Sequence, residues 1–247
     1  MARHPLSGVR AVTFDLDNTL WDMTQVIRHA EARLYAFLES QYPRVAERYS
    51  DDDLSAARAD IAERRPELRH DVTALRRAAL AAVAKDCGYD ADLVERAFKV
   101  FLDARHEVTL FEDTKPVLER LRRRYVLGTI TNGNADVRRL DLGHYFDFML
   151  SPMDVGAAKP DGIIFQAACH RAGFPVDEVA HVGDEPEADV WGAARYGMPA
   201  VWINRHASPW PSTLDIPDHV EIRSLSELLE LLPGSPRRAS QARATSD

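Results

Sequence analysis

Hydrophobic and polar positions follow two regimes along the chain. In the first, apolar residues recur at helical spacing in four runs. These are Val26, Ile27, Ala30, Leu34, Phe37 and Leu38; Leu54, Ala57 and Ile61; Leu75, Ala78, Ala79, Ala82 and Val83; and Leu93, Val94, Ala97, Phe98, Phe101 and Leu102. The punctuation fits. Pro43 closes the first helix, Ser50-Asp51-Asp52-Asp53 caps the second, and Pro66 ends it. Asp71 or Thr73 caps the third, and Gly88 stops it. Residues 22–110 therefore read as an all-helical bundle without a strand.

In the second regime, short β-branched or apolar runs alternate with helical patterns. Residues 9–14 form a strand. After Thr114-Lys115-Pro116 comes a helix carrying Val117, Leu118 and Leu121, then a strand over 125–130. A short helix, a strand around 146–150, and a helix from near Pro160 follow. Next come a strand over 179–182, a helix over 186–196 with Gly197 as C-cap, strands over 200–203 and 220–222, and a helix over 225–232. This alternation predicts an α/β fold with a parallel, doubly wound sheet. The first strand belongs to that sheet, so the helical bundle is an insertion. The expected domains are a core of residues 1–21 and 111–233, an inserted helical domain of 22–110, and a disordered tail of 234–247 rich in Gly, Ser, Pro, Arg and Ala. An insertion leaving the core beside an active turn is placed to act as a lid.

That turn is acidic. The first strand runs into Asp15-Leu16-Asp17-Asn18-Thr19, and in extended chain residues at i and i+2 share a side, which crowds two carboxylates. Like charges so close call for a cation, a proton or a chemical role. Other strand ends add to the set, since ligands of open α/β sheets bind beyond the carboxyl ends of the strands. One supplies Thr131 and Asn132, another Asp184 with Asp189 five residues on, and Lys159 precedes a helix. Singly, each reads as a turn former, a helix cap or a surface lysine. Together they suit phosphate chemistry. Clustered carboxylates without zinc-type ligands favour a hard cation, Mg²⁺. Asp15 is the candidate nucleophile and Asp17 the candidate general acid and base. Thr131 and Lys159 would hold phosphoryl oxygens and Asp184 the metal, with Asp189 a further candidate there.

Composition narrows the setting. The net charge of −8 argues against bulk nucleic-acid binding and leaves room for a small anionic ligand. Cys87 and Cys169 lie in no metal-like spacing and read as free thiols of a reducing cytosol. No long apolar run suggests a signal peptide or a membrane span, so a cytoplasmic protein is expected.

Asp15-Leu16-Asp17-Asn18-Thr19-Leu20, Thr131-Asn132, Lys159-Pro160 and Gly183-Asp184 with Asp189 resemble, in order and spacing, the four motifs of the haloacid dehalogenase superfamily. The resemblance spans the chain to about Leu232. It implies a Rossmann-like core, an inserted all-helical C1-type cap, Mg²⁺ and an aspartyl-phosphate intermediate. It further implies Asp15, Asp17 and Asp184 at the metal, and Thr131, Asn132 and Lys159 at the substrate phosphate. A narrower resemblance concerns residues 5–11, Arg69-His70-Asp71-Val72-Thr73, residues 130–134 and residues 181–184. It points to bacterial phosphatases of flavin mononucleotide and of 5-amino-6-(5-phospho-D-ribitylamino)uracil, a riboflavin precursor.

The expected activity is therefore Mg²⁺-dependent phosphomonoester hydrolysis of such a metabolite, by a monomer or homodimer. Rivals are a promiscuous phosphatase of nucleotides or sugar phosphates, a haloacid dehalogenase and a non-catalytic binding protein. A dehalogenase needs no acid two residues after its nucleophile, and a binding protein need not keep Asp15, Asp17, Lys159 and Asp184 together. In the cap, His70 and Asp71 are candidate substrate contacts within a basic cluster of Arg64, Arg65, Arg69, Arg76 and Arg77. Trp21 is open to two readings: stacking on a flat substrate ring, or packing.

Overall fold

The computed structural model describes residues 6–68 and 71–232. The expected tail of 234–247 and the candidate His70 lie outside the described residues. The chain divides into two compact units. One holds the described residues up to Trp21, Leu110–Asn132 and the described residues from Asp141 on. The other holds the described residues of Asp22–Thr109 together with Gly133–Leu140.

The first unit is built on a six-stranded parallel sheet: β1 (Ala11–Phe14), β2 (Val126–Ile130), β3 (Phe148–Leu150), β4 (Val179–Gly183), β5 (Ala200–Ile203) and β6 (Val220–Ile222), in the order β3-β2-β1-β4-β5-β6. Every residue of β1 is buried, Thr13 included, as a central strand covered on both faces must be. Ala11 pairs with Val126 on one side and Val179 on the other. The chain builds outward from β1 through β2 to β3, then returns to its other side with β4. The crevice where this strand order reverses lies between β1 and β4, where an open sheet of this Rossmann-like kind receives its ligand.

Among the helices of this unit are α6 (Thr114–Leu121), α7 (Pro152–Val155), α8 (Gly162–Ala172), α9 (Gly192–Tyr196) and α10 (Leu228–Leu231). Ile164, Phe165 and Ala168 of α8 share a buried cluster with Ala11, Ile130, Val179 and Trp202 of the sheet. The helix expected over 186–196 is not uniform. Pro186–Trp191 is a π-helical turn, with the N–H of Val190 reaching the carbonyl of Glu185 at 3.4 Å. Wide turns of this kind recur at functional sites, and this one carries Asp189.

The second unit holds α1 (Met23–Gln41), α2 (Pro43–Ala46), α3 (Asp51–Arg64), α4 (Val72–Asp86) and α5 (Ala91–Ala104). Pro43 does more than end α1. It opens α2 as its first residue, where a missing N–H costs nothing. Asp22, Ser50, Asp71 and Asp90 each accept a backbone N–H at a helix start, and Ser50 with Asp53 closes a capping box. α5 turns Leu93, Val94, Ala97, Phe98 and Phe101 inward onto Ala30, Leu34, Leu38, Leu80 and Val83. Burial of one such large side chain contributes about 1.5–3 kcal/mol. Phe101→Ala, which also leaves a cavity, is the single change here expected to cost most, about 3–5 kcal/mol.

Two boundaries differ from the sequence expectation. Leu110 belongs to the first unit, where it bridges to Trp21, while the next residue, Phe111, donates its N–H to the Leu20 carbonyl. Gly133–Leu140, which the strand-helix rhythm assigned to the core, belongs with the helices. Side chains anchor it there: Asn134 Nδ2 donates to Thr73 Oγ1 (3.3 Å), His106 Nε2 accepts from the N–H of Asp136 (2.9 Å), and Arg139 bonds Asp103 (2.6 Å). No helix among the described residues is long and apolar enough to cross a membrane.

Candidate active site

β1 ends at Phe14, and the N–H of the next residue, Asp15, donates to the Val182 carbonyl of β4 at 2.8 Å. This puts the Asp15 carboxylate at the switch point. Lys159 comes to the same place from the loop before α8. Its Nζ donates to Asp15 Oδ1 (2.6 Å), to Asp189 Oδ1 (2.6 Å) and to the carbonyl of Ile130 at the end of β2 (2.8 Å). The ammonium is almost wholly buried, with 2% of its side chain exposed. The loop that delivers it is pinned by Asn132, whose Nδ2 donates to the Lys159 carbonyl and whose Oδ1 accepts the Lys159 N–H, both at 2.8 Å. The amide expected at a substrate phosphate therefore grips the main chain of the lysine instead. Thr131 is buried beside it, its N–H donating to the Leu150 carbonyl of β3.

Asp189 reaches Lys159 because nothing occupies the space above Gly183. A Cβ built at Gly183 would lie 2.2 Å from the Asp189 Cγ, so only glycine fits. The Glu185 N–H donates to Asp189 Oδ2 at 2.9 Å. His181 Nε2 lies 3.1 Å from Asp189 Oδ1, and His181 Nδ1 lies 2.9 Å from Thr13 Oγ1. Burial holds the imidazole below its ordinary pKa, hence neutral. A neutral ring meets Asp189 in one tautomer, Nε2–H donating to the carboxylate, which leaves Nδ1 as an acceptor beside the Thr13 hydroxyl, whose proton also has the Ala180 carbonyl at 3.1 Å. The sequence assigns His181 no role, although a histidine inside the otherwise apolar strand of residues 179–183 is the available signal.

The charges are strongly coupled. Burial pushes the Asp15 carboxyl well above its usual range; Lys159 opposes this, while Asp189, Asp184 and Asp17 add to it. Asp184 is raised to about 7, by burial and by Asp189. Burial would raise Asp189 too, but the Lys159 charge and the His181 hydrogen bond hold it far below the ordinary carboxylate value. Burial would lower Lys159, and the charges of Asp15 and Asp189 reverse that, so it stays protonated.

Ligand oxygens of Asp15, Asp184 and Asp189 all lie within 4.8 Å of one another. An all-oxygen set carrying three carboxylates against one ammonium fits a hard divalent cation, whose charge would relieve the repulsion that raises Asp15 and Asp184. The family resemblance groups Asp15, Asp17 and Asp184 there, with Asp189 a further candidate. Asp17 stands outside this cluster because extended chain ends at Phe14. Asn18 is left-handed (φ 60°), and Asp17 Oδ1 accepts the indole N–H of Trp21 at 2.8 Å. Asp184 is held from two sides, by the Thr19 hydroxyl (3.4 Å to Oδ1) and by Trp202 Nε1, which donates to its carbonyl (2.9 Å).

Of the candidate substrate contacts, Trp21 is fully buried, so its ring has no open face for stacking. Asp71 accepts the Ala74 N–H at 2.8 Å as the N-cap of α4. The described arginines of the basic cluster are paired: Arg64 with Asp60, Arg65 with Glu67, Arg76 with Glu31 and Arg77 with Glu95.

Residues 9–197 match the family model of haloacid dehalogenase-like hydrolases. The chain belongs to this family. It is 33% identical over 234 residues to the 5-amino-6-(5-phospho-D-ribitylamino)uracil phosphatase YigB of Escherichia coli, covering 92% of this chain and 98% of that protein. It is 30% identical to human N-acylneuraminate-9-phosphatase, over 92% of this chain and 95% of the relative. Among solved structures, a 2-haloacid dehalogenase from Pseudomonas syringae pv. Tomato superposes with a TM-score of 0.83 at 41% identity, covering 91% of this chain and 98% of the other.

Proposed function

We propose that this haloacid dehalogenase-like hydrolase is a cytoplasmic, Mg²⁺-dependent phosphomonoesterase that works through a phosphorylated Asp15. Its proposed substrate is flavin mononucleotide or 5-amino-6-(5-phospho-D-ribitylamino)uracil. The observation that carries the reading is the pairing of Asp15 with two further groups: a buried Lys159 at 2.6 Å and a second acid, Asp17, two residues on. Asp15 attacks phosphorus, the P–O bond to the alcohol breaks, and Asp17 protonates the departing oxygen. Asp17 then takes a proton from the water that attacks the aspartyl-phosphate, which releases phosphate and restores Asp15. Lys159 and Thr131 bind phosphoryl oxygens as charge shifts onto them. A divalent cation held by Asp15, Asp184 and Asp189 would neutralise phosphate charge when bound. The helical unit is the proposed cap. The similarity to YigB supports the substrate choice.

The structural likeness to a 2-haloacid dehalogenase favours a second reading. Halide departs without a proton, so that chemistry leaves Asp17 idle. One experiment separates the two. Purified protein with and without Mg²⁺ is offered p-nitrophenyl phosphate, flavin mononucleotide, the ribityl phosphate, sugar phosphates, nucleotides and 2-chloropropionate. The proposal expects Mg²⁺-dependent phosphate release, with the flavin and ribityl phosphates highest in kcat/KM, and loss of release in Asp15→Asn. Chloride release without phosphate release would establish the dehalogenase.

A further inference from the structure

Asp17 is tied to a residue that no phosphatase step requires. Trp21 is fully buried, and its backbone is bridged on one side to Asp17 and on the other to Leu110. Its indole is therefore fixed by the fold, and it aims its one polar atom at Asp17 Oδ1, 2.8 Å away. Leu16, Thr19 and Leu20 around Asp17 are buried, whereas Asp17 itself is half-buried. The carboxyl thus stands at the edge of the site with one oxygen moored inward.

Indole is a donor only. The oxygen that receives it is held in one place, and the plane of the carboxyl is held with it. We propose that Trp21 is a positioning residue for proton transfer: its N–H binds Asp17 Oδ1 and fixes the plane of the carboxyl that protonates the leaving oxygen. The inference rests on the proposed role of Asp17 as general acid. It replaces the substrate-stacking reading of Trp21, for which a buried ring is unsuited. In the step itself, the O–H bond of the Asp17 carboxyl breaks as the P–O bond to the alcohol breaks. The proton goes to the alkoxide oxygen, and Asp17 is left as a carboxylate bonded to the indole.

A leaving group that needs no proton does not need this arrangement. The test compares kcat/KM, which reports the chemistry up to alcohol release, for an alkyl phosphate such as glycerol 3-phosphate and for p-nitrophenyl phosphate. Trp21→Phe keeps a buried ring and removes the N–H. The expected result is a loss of about tenfold or more on the alkyl ester, a fraction of what a general acid contributes, and less than about threefold on the aryl ester. Equal losses on both esters, or none on either, overturn the proposal. Should Trp21→Phe fold poorly, β-(3-benzothienyl)alanine at position 21 replaces the N–H by sulfur within the same bicyclic shape, and the same two ratios apply. An unmodified protein that releases phosphate from neither ester overturns the phosphatase reading itself, a result distinct from equal behaviour of the variant and the unmodified enzyme.

Discussion

His181 Nε2 meets Asp189 on Oδ1, the same oxygen that receives Lys159 Nζ. One carboxylate oxygen thus joins a neutral donor and a cation, and the cation continues to Asp15. Thr13, His181, Asp189, Lys159 and Asp15 form one buried line that begins in the middle of β1 and ends just beyond its tip. Its consequence is that Lys159 is aimed from behind. His181→Leu removes a donor from Asp189 and lets Lys159 shift. Supporting contacts of this kind typically carry about 10–100-fold in activity, and kcat is expected to fall within that range. His181→Gln, which retains a donor, should recover part of it. Steady-state kinetics on p-nitrophenyl phosphate decides the matter, and an unchanged kcat in His181→Leu would remove His181 from the site.

Lys159 bonds two buried carboxylates at once, which makes it a stability residue as well as a proposed catalytic one. Lys159→Met keeps the aliphatic stem and deletes the charge. Asp15 and Asp189 are then left buried and uncompensated, and loss of one partner from a buried pair costs about 3–5 kcal/mol. Chemical denaturation should show a lowered midpoint, and added Mg²⁺ should restore more of it than in the unmodified protein. A variant as stable as the parent in metal-free buffer contradicts the geometry.

Much of this was legible because strand ends are legible. Once the sheet is read as parallel, Asp15, Thr131 and Asp184 must gather at one edge, and they do. The resemblance groups Asp15, Asp17 and Asp184 at the metal with Asp189 a further candidate, whereas the side-chain oxygens that gather are those of Asp15, Asp184 and Asp189, because the chain already turns past Phe14. Asp189 entered the cluster in place of Asp17 through a wide helical turn and a glycine, neither of which has a periodicity signature. His181 was missed for a different reason: its partners, Thr13 and Asp189, come from other elements, and a lone histidine in an apolar strand does not announce them. Residues 133–140 have turn chemistry in sequence, and only their side-chain partners on α4, α5 and the chain just after α5 assign them to the helical unit.

In the helical unit, Glu31 accepts Arg76 at 2.8 and 3.0 Å and Arg58 at 2.7 Å, with Arg76 lying over the Phe101 ring. Burial alone would raise the Glu31 carboxyl; the Arg76 hydrogen bonds and the charges of both arginines outweigh it and hold the pKa below the ordinary value. A folded-state pKa below the unfolded one gives stability that is complete above the unfolded value, about 4.3, and is lost as pH falls through the folded value. Thermal melts of the unmodified protein should therefore drop more steeply between about pH 5 and pH 3 than those of Glu31→Gln, in which this carboxylate no longer titrates. Parallel curves would show that the triad contributes nothing to acid sensitivity.

The carboxylate cluster makes a claim about metal that can be read without catalysis. If Asp15, Asp184 and Asp189 supply the side-chain ligands, Mg²⁺ binds the folded chain and stabilises it by mass action, by about 2.7 kcal/mol at a hundredfold excess over its Kd. Asp184→Asn removes one ligand charge and also the repulsion that raises Asp184 itself, so the variant should melt no lower than the parent without metal and gain little when Mg²⁺ is added. Asp17→Asn lies outside the cluster and should keep most of the Mg²⁺ shift while losing turnover of alkyl phosphates. Titration calorimetry or thermal melts in Mg²⁺ distinguish the two. The reverse order, with the shift lost in Asp17→Asn and kept in Asp184→Asn, would return the metal site to the trio first read from the sequence.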